Sequence, residues 1–305
     1  MSMSHAFSIA PSARQAADDL SPPAWAAELV GQTRSVQQTV DHTTLITRTN
    51  DHATLVSVRA LGAAELDAAA FERTTVQTYK LIRRALSTHA ANIPVRFWNY
   101  IPAIHDAMDG DRDRYMVFNA GRFKAFCEWF GGSDQLSGRV ATASGVGHFG
   151  RDLVIHCLAA TAPGKAIENP RQIPAFRYSK RYGPLPPCFA RATIVNDLLP
   201  GGASVLVGGT ASIAGERTVH RNQLAGQFRE TLENLSSLVT AAGVGGDPLA
   251  AFSEVRIYHP RKRDAAAIAR LAAKAFPRAS RPQLMQADLC RSELLVEIEG
   301  VARLD

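Results

Sequence analysis

Two acidic residues near the end of the chain, Glu297 and Glu299, have the spacing of paired carboxyl groups on one side of a strand. Side chains two residues apart project from the same face of a β-strand, so these glutamates share one face while Val296 and Ile298 share the other. A carboxyl group on a buried face has a raised pKa and can act as a general acid near neutral pH. The alternative is a polar outer face with both glutamates in water, and the spacing leaves both interpretations open.

Arginine and tyrosine, the residue types suited to binding a carboxylate, are concentrated in the proline-rich residues 169–191. Guanidinium groups match carboxylates with two parallel hydrogen bonds, and aromatic side chains seldom collect on a loop that faces only water. Tyr115 and Arg122 form a similar pair on a predicted helix, although most charged helix residues face solvent. These residues indicate a pocket for a small carboxylate.

The glycine-rich residues 208–215 follow a predicted strand but carry no nucleotide-binding motif. No Gly-Lys-Ser/Thr sequence follows them, and the G-x-G-x-x-G spacing is missing. Small residues at this place allow a ligand or a neighbouring strand to approach the backbone, and a structural turn is the alternative.

Other common catalytic motifs are missing from the sequence. The nine histidines include no H-x-x-x-H or H-E-x-x-H pair, and there is no G-x-S-x-G elbow. The four cysteines stand far apart, which argues against a zinc knuckle and against a disulfide framework. We therefore expect chemistry without a metal or a nucleotide cofactor.

The charge pattern favours a small anionic ligand over nucleic acid. The 305 residues carry a net charge of +6, but the basic residues are scattered and interrupted by acids, as in residues 256–264. Nucleic-acid proteins concentrate their basic residues in a patch or stripe. No run of about 18 uncharged apolar residues occurs, and the first residues lack the pattern of a signal peptide, so we expect a cytoplasmic protein that does not enter a membrane.

The elements that must position these residues form an α+β pattern with two related α/β units. We expect a flexible N-terminal segment over residues 1–25, a first unit over 26–165 and a second unit over 166–305. The second unit has the order strand, strand, helix, strand, helix, strand, strand, and the first unit has a weaker version of it. The predicted elements are strands 43–49 and 53–60, helix 63–91, strand 95–100, helix 112–129, strands 154–159, 191–196 and 204–208, helix 223–242, strand 254–259, helix 264–276, and strands 283–288 and 293–303.

Several of these motifs resemble known families. The second half resembles the RidA/YjgF-like fold in residues 208–212, 227–235 and 295–299. The first half adds motifs that, taken together with these, resemble the chorismatase family over about residues 40–305. Those motifs are Arg-Phe-Trp-Asn-Tyr at 96–100, Arg-Tyr at 114–115, Phe-Asn-Ala-Gly-Arg at 118–122, Asn-Pro-Arg-Gln at 169–172, Tyr-Gly-Pro at 182–184 and Phe-Ala-Arg-Ala at 189–192.

The resemblance implies a C-terminal RidA-like unit with a mixed sheet, helices on one face, and the catalytic acid. It implies a cofactor-independent enzyme that removes the enolpyruvyl group of chorismate as pyruvate. By the same resemblance Glu297 is the catalytic acid. The residues implied to bind the substrate carboxylates are Tyr115, Arg122, Tyr178 and Arg191.

Two further positions concern the product. Cys290 stands where the aromatising branches of the family have cysteine, which implies 3-hydroxybenzoate, with 4-hydroxybenzoate as co-product in one branch. Ala211 stands where the 3-hydroxybenzoate formers tend to have glycine, so hydrolysis to a dihydroxycyclohexadiene acid remains an alternative. Because we give Cys290 the greater weight, we predict 3-hydroxybenzoate.

Two other classes of function are open. One is a RidA-type deaminase of enamines, with Arg281 as its carboxylate-binding arginine, which would not require the tyrosines and arginines of the first half. The other is a ligand-binding module without catalysis, which would tolerate the loss of Glu297. The expected assembly is a monomer or a homotrimer, the latter being common for the RidA fold.

Overall fold

The computed structural model describes residues 20–31, 35–40, 42–279 and 282–304. Most of the predicted N-terminal segment therefore lies outside the described residues. Its last part leads into helix α1 (Ala24–Val30), and Leu20, Ala26 and Val30 are buried in the protein core. Apolar side chains at this end of the segment thus pack between the two units, and the division at residues 25 and 165 stays a prediction.

The N-terminal unit is a six-stranded sheet with two helices on one face. Spatially its strands follow the order β1-β2-β3-β8-β4-β7, and the pair β4 and β7 is parallel while the other pairs are antiparallel. The bounds are β1 Ser35–Val40, β2 Thr43–Thr49, β3 Ala53–Ala60, β4 Ile93–Pro102, β7 Thr142–His148 and β8 Leu153–Ala160, with the short pair β5 Ala107–Asp109 and β6 Arg112–Asp113. The helices are α2 Ala68–Leu86 and α3 Arg114–Phe130.

Local chemistry explains where α2 and α3 begin. The Asp67 carboxylate accepts a hydrogen bond from the Ala70 amide (2.7 Å), and Asp113 accepts one from Met116 (2.8 Å). Each carboxylate satisfies an amide that has no partner within its helix. Helix α3 ends at Gly131, whose φ of 91° is the left-handed conformation that glycine adopts at little cost.

The C-terminal unit is a second six-stranded mixed sheet with its helices on one face, as expected. Spatially its strands follow the order β15-β14-β16-β11-β10-β9, and only β14 and β15 are parallel. The bounds are β9 Lys165–Ile167, β10 Ala192–Leu199, β11 Gly202–Ala211, β14 Phe252–His259, β15 Gln283–Gln286 and β16 Glu297–Arg303, with the short pair β12 Ile213–Ala214 and β13 Arg217–Thr218. The helices are α4 Leu224–Ala241 and α5 Ala265–Ala275.

The two units share one topology. Along the chain, β2-β3-α2-β4-α3-β7-β8 corresponds to β10-β11-α4-β14-α5-β15-β16. In space, β2-β3-β8-β4-β7 corresponds to β10-β11-β16-β14-β15, and the parallel pair occupies the same place in each. The prediction of two related α/β units is therefore confirmed.

The units pack sheet against sheet and give four layers. One apolar core fills the space between the N-terminal sheet and its helices, and another fills the equivalent space in the C-terminal unit. The third core joins the facing sheets, with Trp98 and Tyr100 of β4 near Leu206 of β11 and Tyr258 of β14. This inner interface carries the residues described below.

The structure corrects one predicted strand near the end of the chain. The last two strands are not neighbours, because β15 pairs in parallel with β14, which separates it from β16. The predicted strand 293–303 begins only at Glu297, since residues 287–296 form a connection without regular structure. Backbone partners supplied by β11 and β14 therefore decide where β16 starts, and Leu295 lies outside the strand.

Candidate active site

A cavity of about 330 Å³ lies between the two units, and all seven predicted site residues line it. They come from helix α3, from the segment before β10, from the end of β11 and from residues 290–297. The seven are Tyr115, Arg122, Tyr178, Arg191, Ala211, Cys290 and Glu297. The fold thus brings together residues that are up to 182 positions apart in the chain.

Glu297, the first residue of β16, presents its carboxyl group to this cavity while the side chain is only 3% exposed. Burial, together with the negative charge of Glu299, raises the pKa of Glu297 to about 8, against the opposing effects of Arg96 and Arg191. The carboxyl group is therefore protonated near neutral pH, which is the state a general acid needs. The alternative in which both glutamates face solvent is wrong, because Glu299 is only 2% exposed.

The carboxyl group of Glu297 lies directly over the backbone of Gly209. A Cβ atom placed on Gly209 would overlap Glu297 Oε1. Gly209 sits in β11 where the register against β16 shifts between Val207 and Thr210, so the glycine-rich motif forms an irregular stretch of strand. Strand irregularities and glycines often serve to re-aim a side chain beside a site, and here they make room for the acid.

Two buried arginines, Arg122 and Arg191, both lie against the ring of Phe189. Their guanidinium carbons are 5.5 and 5.1 Å from the centre of its ring, and the side chains are 1% and 4% exposed. Within the described part of the chain neither forms an ion pair, and Nε of each has no hydrogen-bond partner. A buried guanidinium with unused hydrogen-bond donors is costly, so the arrangement favours an anionic ligand.

Neutral neighbours hold these arginines in place. Arg191 Nη2 donates to the Tyr178 hydroxyl (2.6 Å) and to the Ile173 carbonyl (3.1 Å). Arg122 Nη2 donates to Asn119 Oδ1 (2.7 Å), three residues earlier on α3. None of these hydrogen-bond partners is a carboxylate, and the Glu168 carboxyl near Arg191 has its pKa raised by burial to about 7, so both arginines can attract an anion in the cavity.

Tyr115 lies on the same helix as Arg122 and packs against β7. Its ring would lie 3.3 Å from a Cβ atom placed on Gly145, so a larger residue at that position would crowd it. Burial, followed by the nearby Cys290, raises the pKa of Tyr115 above its ordinary value. The phenol is therefore protonated and can donate a hydrogen bond into the cavity.

Cys290 is held beside the acid by contacts from the N-terminal sheet. The Gly147 amide donates to the Asp288 carbonyl (2.6 Å), and His105 Nε2 contacts the Leu289 carbonyl (2.7 Å). Burial and the negative potential of Glu297 raise the pKa of Cys290 to about 12, so it is a neutral thiol. Ala211 faces the same space, since it is paired directly with Glu297 across β11 and β16.

Phe189, Tyr182 and Arg291 are aromatic and basic residues of this cavity that sequence reasoning did not single out as site residues. Phe189 contacts both arginines, and the Arg291 guanidinium lies 4.0 Å from the centre of the Tyr182 ring. Arg291 also donates to the Glu216 carbonyl (2.9 Å). Tyr182 and Phe189 belong to the aromatic segment that the sequence singled out, whereas Arg291 had no signal beyond its position next to Cys290.

The described residues contain neither a cluster of metal ligands nor a membrane-spanning helix. Over residues 20–31, 35–40, 42–279 and 282–304, no group of three His, Cys, Asp or Glu side chains is placed to hold a metal ion. Among the helices given above, none is long and apolar enough to cross a membrane. Arg281, the arginine required by the deaminase alternative, lies outside the described residues.

Comparison with known proteins gives consistent similarities. Residues 29–159 match the family model "Chorismatase FkbO/Hyg5-like, N-terminal". A 3-hydroxybenzoate synthase of Streptomyces hygroscopicus is 36% identical over 68% of this chain and 62% of its own length. A chorismatase of Streptomyces rapamycinicus is 32% identical over 68% of this chain and 63% of its length. The alignments therefore span less than two thirds of these curated relatives.

The similarity to a solved structure covers more of the chain. A crystal structure of a chorismatase superimposes with a TM-score of 0.76 and 27% sequence identity, covering 88% of this chain and 80% of that protein. This match includes both units, whereas the family model covers only the first.

Proposed function

We propose, on the premise that the chain belongs to the chorismatase family, that it converts chorismate to 3-hydroxybenzoate and pyruvate, with some 4-hydroxybenzoate. The observation that carries the proposal is the buried, protonated Glu297 in the same cavity as two buried arginines that form no ion pair within the described residues. Cleavage of an enol ether that bears two carboxylates requires a proton donor and cationic groups that bind the carboxylates, and this cavity contains both.

The proposed reaction begins with binding of the two substrate carboxylates by Arg122 and Arg191, assisted by the hydroxyl groups of Tyr115 and Tyr178. Glu297 then delivers its proton to the methylene carbon of the enolpyruvyl group and generates an oxocarbenium ion. The ring hydroxyl oxygen on the neighbouring carbon then attacks the carbon that bears the ether, the ring-side C–O bond breaks, pyruvate leaves with the ether oxygen as its ketone, and the hydroxyl proton returns to the Glu297 carboxylate. Opening of the resulting arene oxide at its other carbon, with transfer of the ring proton to the oxygen, gives 3-hydroxybenzoate, whereas loss of that proton without the oxygen shift gives 4-hydroxybenzoate. The aromatic acid and pyruvate together contain the atoms of chorismate, so this route consumes no water overall.

Hydrolysis is the second candidate, and the side chain of Ala211 opposite Glu297 is the observation that favours it. In that reaction one water adds to the oxocarbenium carbon, and the products are pyruvate and a dihydroxycyclohexadiene acid. The neutral thiol of Cys290 in the same cavity supports the aromatising route, because a weakly polar group binds water poorly.

Incubation of the purified protein with chorismate tests the proposal. Pyruvate is followed by a coupled reduction with lactate dehydrogenase, and the ring products are separated by chromatography. We expect pyruvate and 3-hydroxybenzoate in comparable amounts. Absence of pyruvate would remove the proposed activity, whereas ammonia release from an amino-acid enamine would favour the deaminase.

Replacement of the paired cations tests substrate binding. Arg122→Ala and Arg191→Ala are each expected to raise KM for chorismate by about 10- to 150-fold, because a charge-assisted hydrogen bond contributes roughly 1.5–3 kcal/mol. Arg151→Ala, at an arginine that is 70% exposed, is the matched control and should behave as wild type. Unchanged KM in both cavity variants, with circular dichroism showing an intact fold, would place the carboxylate site elsewhere.

Replacement of Cys290 tests the assignment of the product. In Cys290→Ala the thiol is lost and space opens beside the acid, so we expect a shift from 3-hydroxybenzoate towards the dihydroxycyclohexadiene acid. Cys157→Ala, which removes a buried thiol from the core of the N-terminal unit, should keep the wild-type ratio. An unchanged ratio in Cys290→Ala, measured by chromatography, would show that the thiol only fills space.

A further inference from the structure

Glu299 forms a buried cluster with three residues of the N-terminal sheet, behind the wall of the cavity. Its carboxylate accepts hydrogen bonds from Arg96 Nη2 (2.8 Å), Trp98 Nε1 (3.0 Å) and the Ser144 hydroxyl. All three partners are donors and one of them is a guanidinium, so the carboxyl group acts as an acceptor in each of these contacts. Glu299 does not line the cavity, so it does not touch the substrate.

The cluster is connected to the acid through the backbone. Ser144 Oγ accepts a hydrogen bond from the Gly209 amide (2.9 Å), and Gly209 is the residue over which the Glu297 carboxyl lies. Glu297 and Glu299 project from the same face of β16. A fixed negative charge therefore stands next to the acid in a part of the protein that solvent does not screen.

We propose that Glu299 is a positioning residue whose fixed charge keeps Glu297 in its protonated form. This inference rests on the acid role of Glu297 in the proposed function. It gives a reason for the buried ion pair of Glu299 with Arg96. An apolar pair of similar volume would often make the fold as stable as such an ion pair does.

The other charged groups around Glu297 act against Glu299. Arg96 from β4 and Arg191 before β10 both favour the carboxylate form and lower the pKa of Glu297. Cys290 and Tyr115 are neutral, because burial raises the pKa of each. The other basic and acidic side chains on the cavity wall are His105, Asp113, Arg122, Arg181, Arg291 and Glu293.

The sign of the expected effect follows from these charges. Since the negative charge of Glu299 raises the pKa of Glu297, its removal lowers that pKa and leaves Arg96 without an opposing charge. Glu299→Gln should therefore shift the titration of Glu297 to lower pH by about one pH unit or more. Glu299→Asp keeps the charge and should shift it by no more than a few tenths of a unit.

The test is a direct titration of Glu297 in the absence of substrate. Protein labelled with ¹³C at the glutamate carboxyl carbon is followed by NMR from pH 5 to pH 10, and the Glu297 signal is assigned from its loss in Glu297→Gln. The wild-type midpoint is expected at about 8. The high-pH decline of pyruvate release should move with the NMR midpoint in each variant.

The Glu297 midpoints in wild type and in the two Glu299 variants decide whether the charge of Glu299 acts on the acid. Equal midpoints in wild type and Glu299→Gln, or equal shifts in Glu299→Gln and Glu299→Asp, would overturn the charge role. If Glu299→Gln does not fold, Arg96→Gln with Glu299→Gln removes both charges, and its midpoint must still fall below that of wild type. A shift without any pyruvate release would overturn the proposed function alone, and pyruvate release without a shift would overturn this inference alone.

Discussion

Glu297→Gln is expected to reduce pyruvate release from chorismate by about a hundredfold or more, because proton transfer by a positioned general acid contributes roughly that factor. The amide has nearly the shape of the protonated carboxyl but cannot deliver a proton to carbon. KM should change little, since the arginines that bind the substrate carboxylates are untouched. Turnover measured by the lactate dehydrogenase assay checks the loss.

The same variant should be at least as stable as wild type. The pKa of Glu297 is about 8 in the folded protein against an ordinary value of 4.5. Between these values the folded state binds a proton that the unfolded state lacks, so the carboxyl destabilises the fold increasingly as pH rises from about 4.5 to about 8. Glutamine removes this cost, which at pH 7 is at most about 3 kcal/mol. Near-wild-type turnover in a folded variant would exclude Glu297 as the acid.

The sequence predicted the helices of the fold better than its strands. Helix 223–242 and helix 264–276 match α4 (Leu224–Ala241) and α5 (Ala265–Ala275) closely, because each buries one apolar face against the C-terminal sheet. Strand β7 (Thr142–His148) was missed, since its run of alanine, serine and glycine has no alternation. These small residues allow β11 of the C-terminal sheet to lie close to the backbone of β7. The need for small residues in β7 becomes visible only once the two sheets are packed together.

The candidate site could be predicted where its residues share a segment or a motif, and not where they meet through the fold. Tyr115 and Arg122 lie on one helix, and Glu297 and Glu299 on one strand. The pairing of Arg96 with Glu299 joins residues 203 positions apart across facing sheets, and no local pattern in the sequence encodes it. The spacing of the two glutamates therefore suggested shared chemistry, while the structure separates an acid at the cavity from a charge behind it.

Gly209→Ala is expected to lower turnover by about a hundredfold while leaving the fold intact. The new Cβ would overlap Glu297 Oε1 and lie 2.8 Å from Cδ, and both atoms belong to the end of a flexible side chain and not to the backbone. Rotation of that side chain relieves the clash at little cost in stability, but it moves the acid by an ångström or more. A displacement of this size can reduce a catalysed rate by about two orders of magnitude.

Two other glycines and a double variant separate this effect from general damage. Gly208→Ala places its Cβ 2.9 Å from the Ala143 carbonyl and should destabilise the sheet contact, whereas Gly245→Ala meets open space and should be neutral. Because Gly209→Ala acts only by displacing the acid, adding it to Glu297→Gln should cause no further loss of turnover. Multiplicative losses in the double variant, or a fall in the melting temperature of Gly209→Ala as large as that of Gly208→Ala, would mean that the glycine supports the sheet and not the position of Glu297.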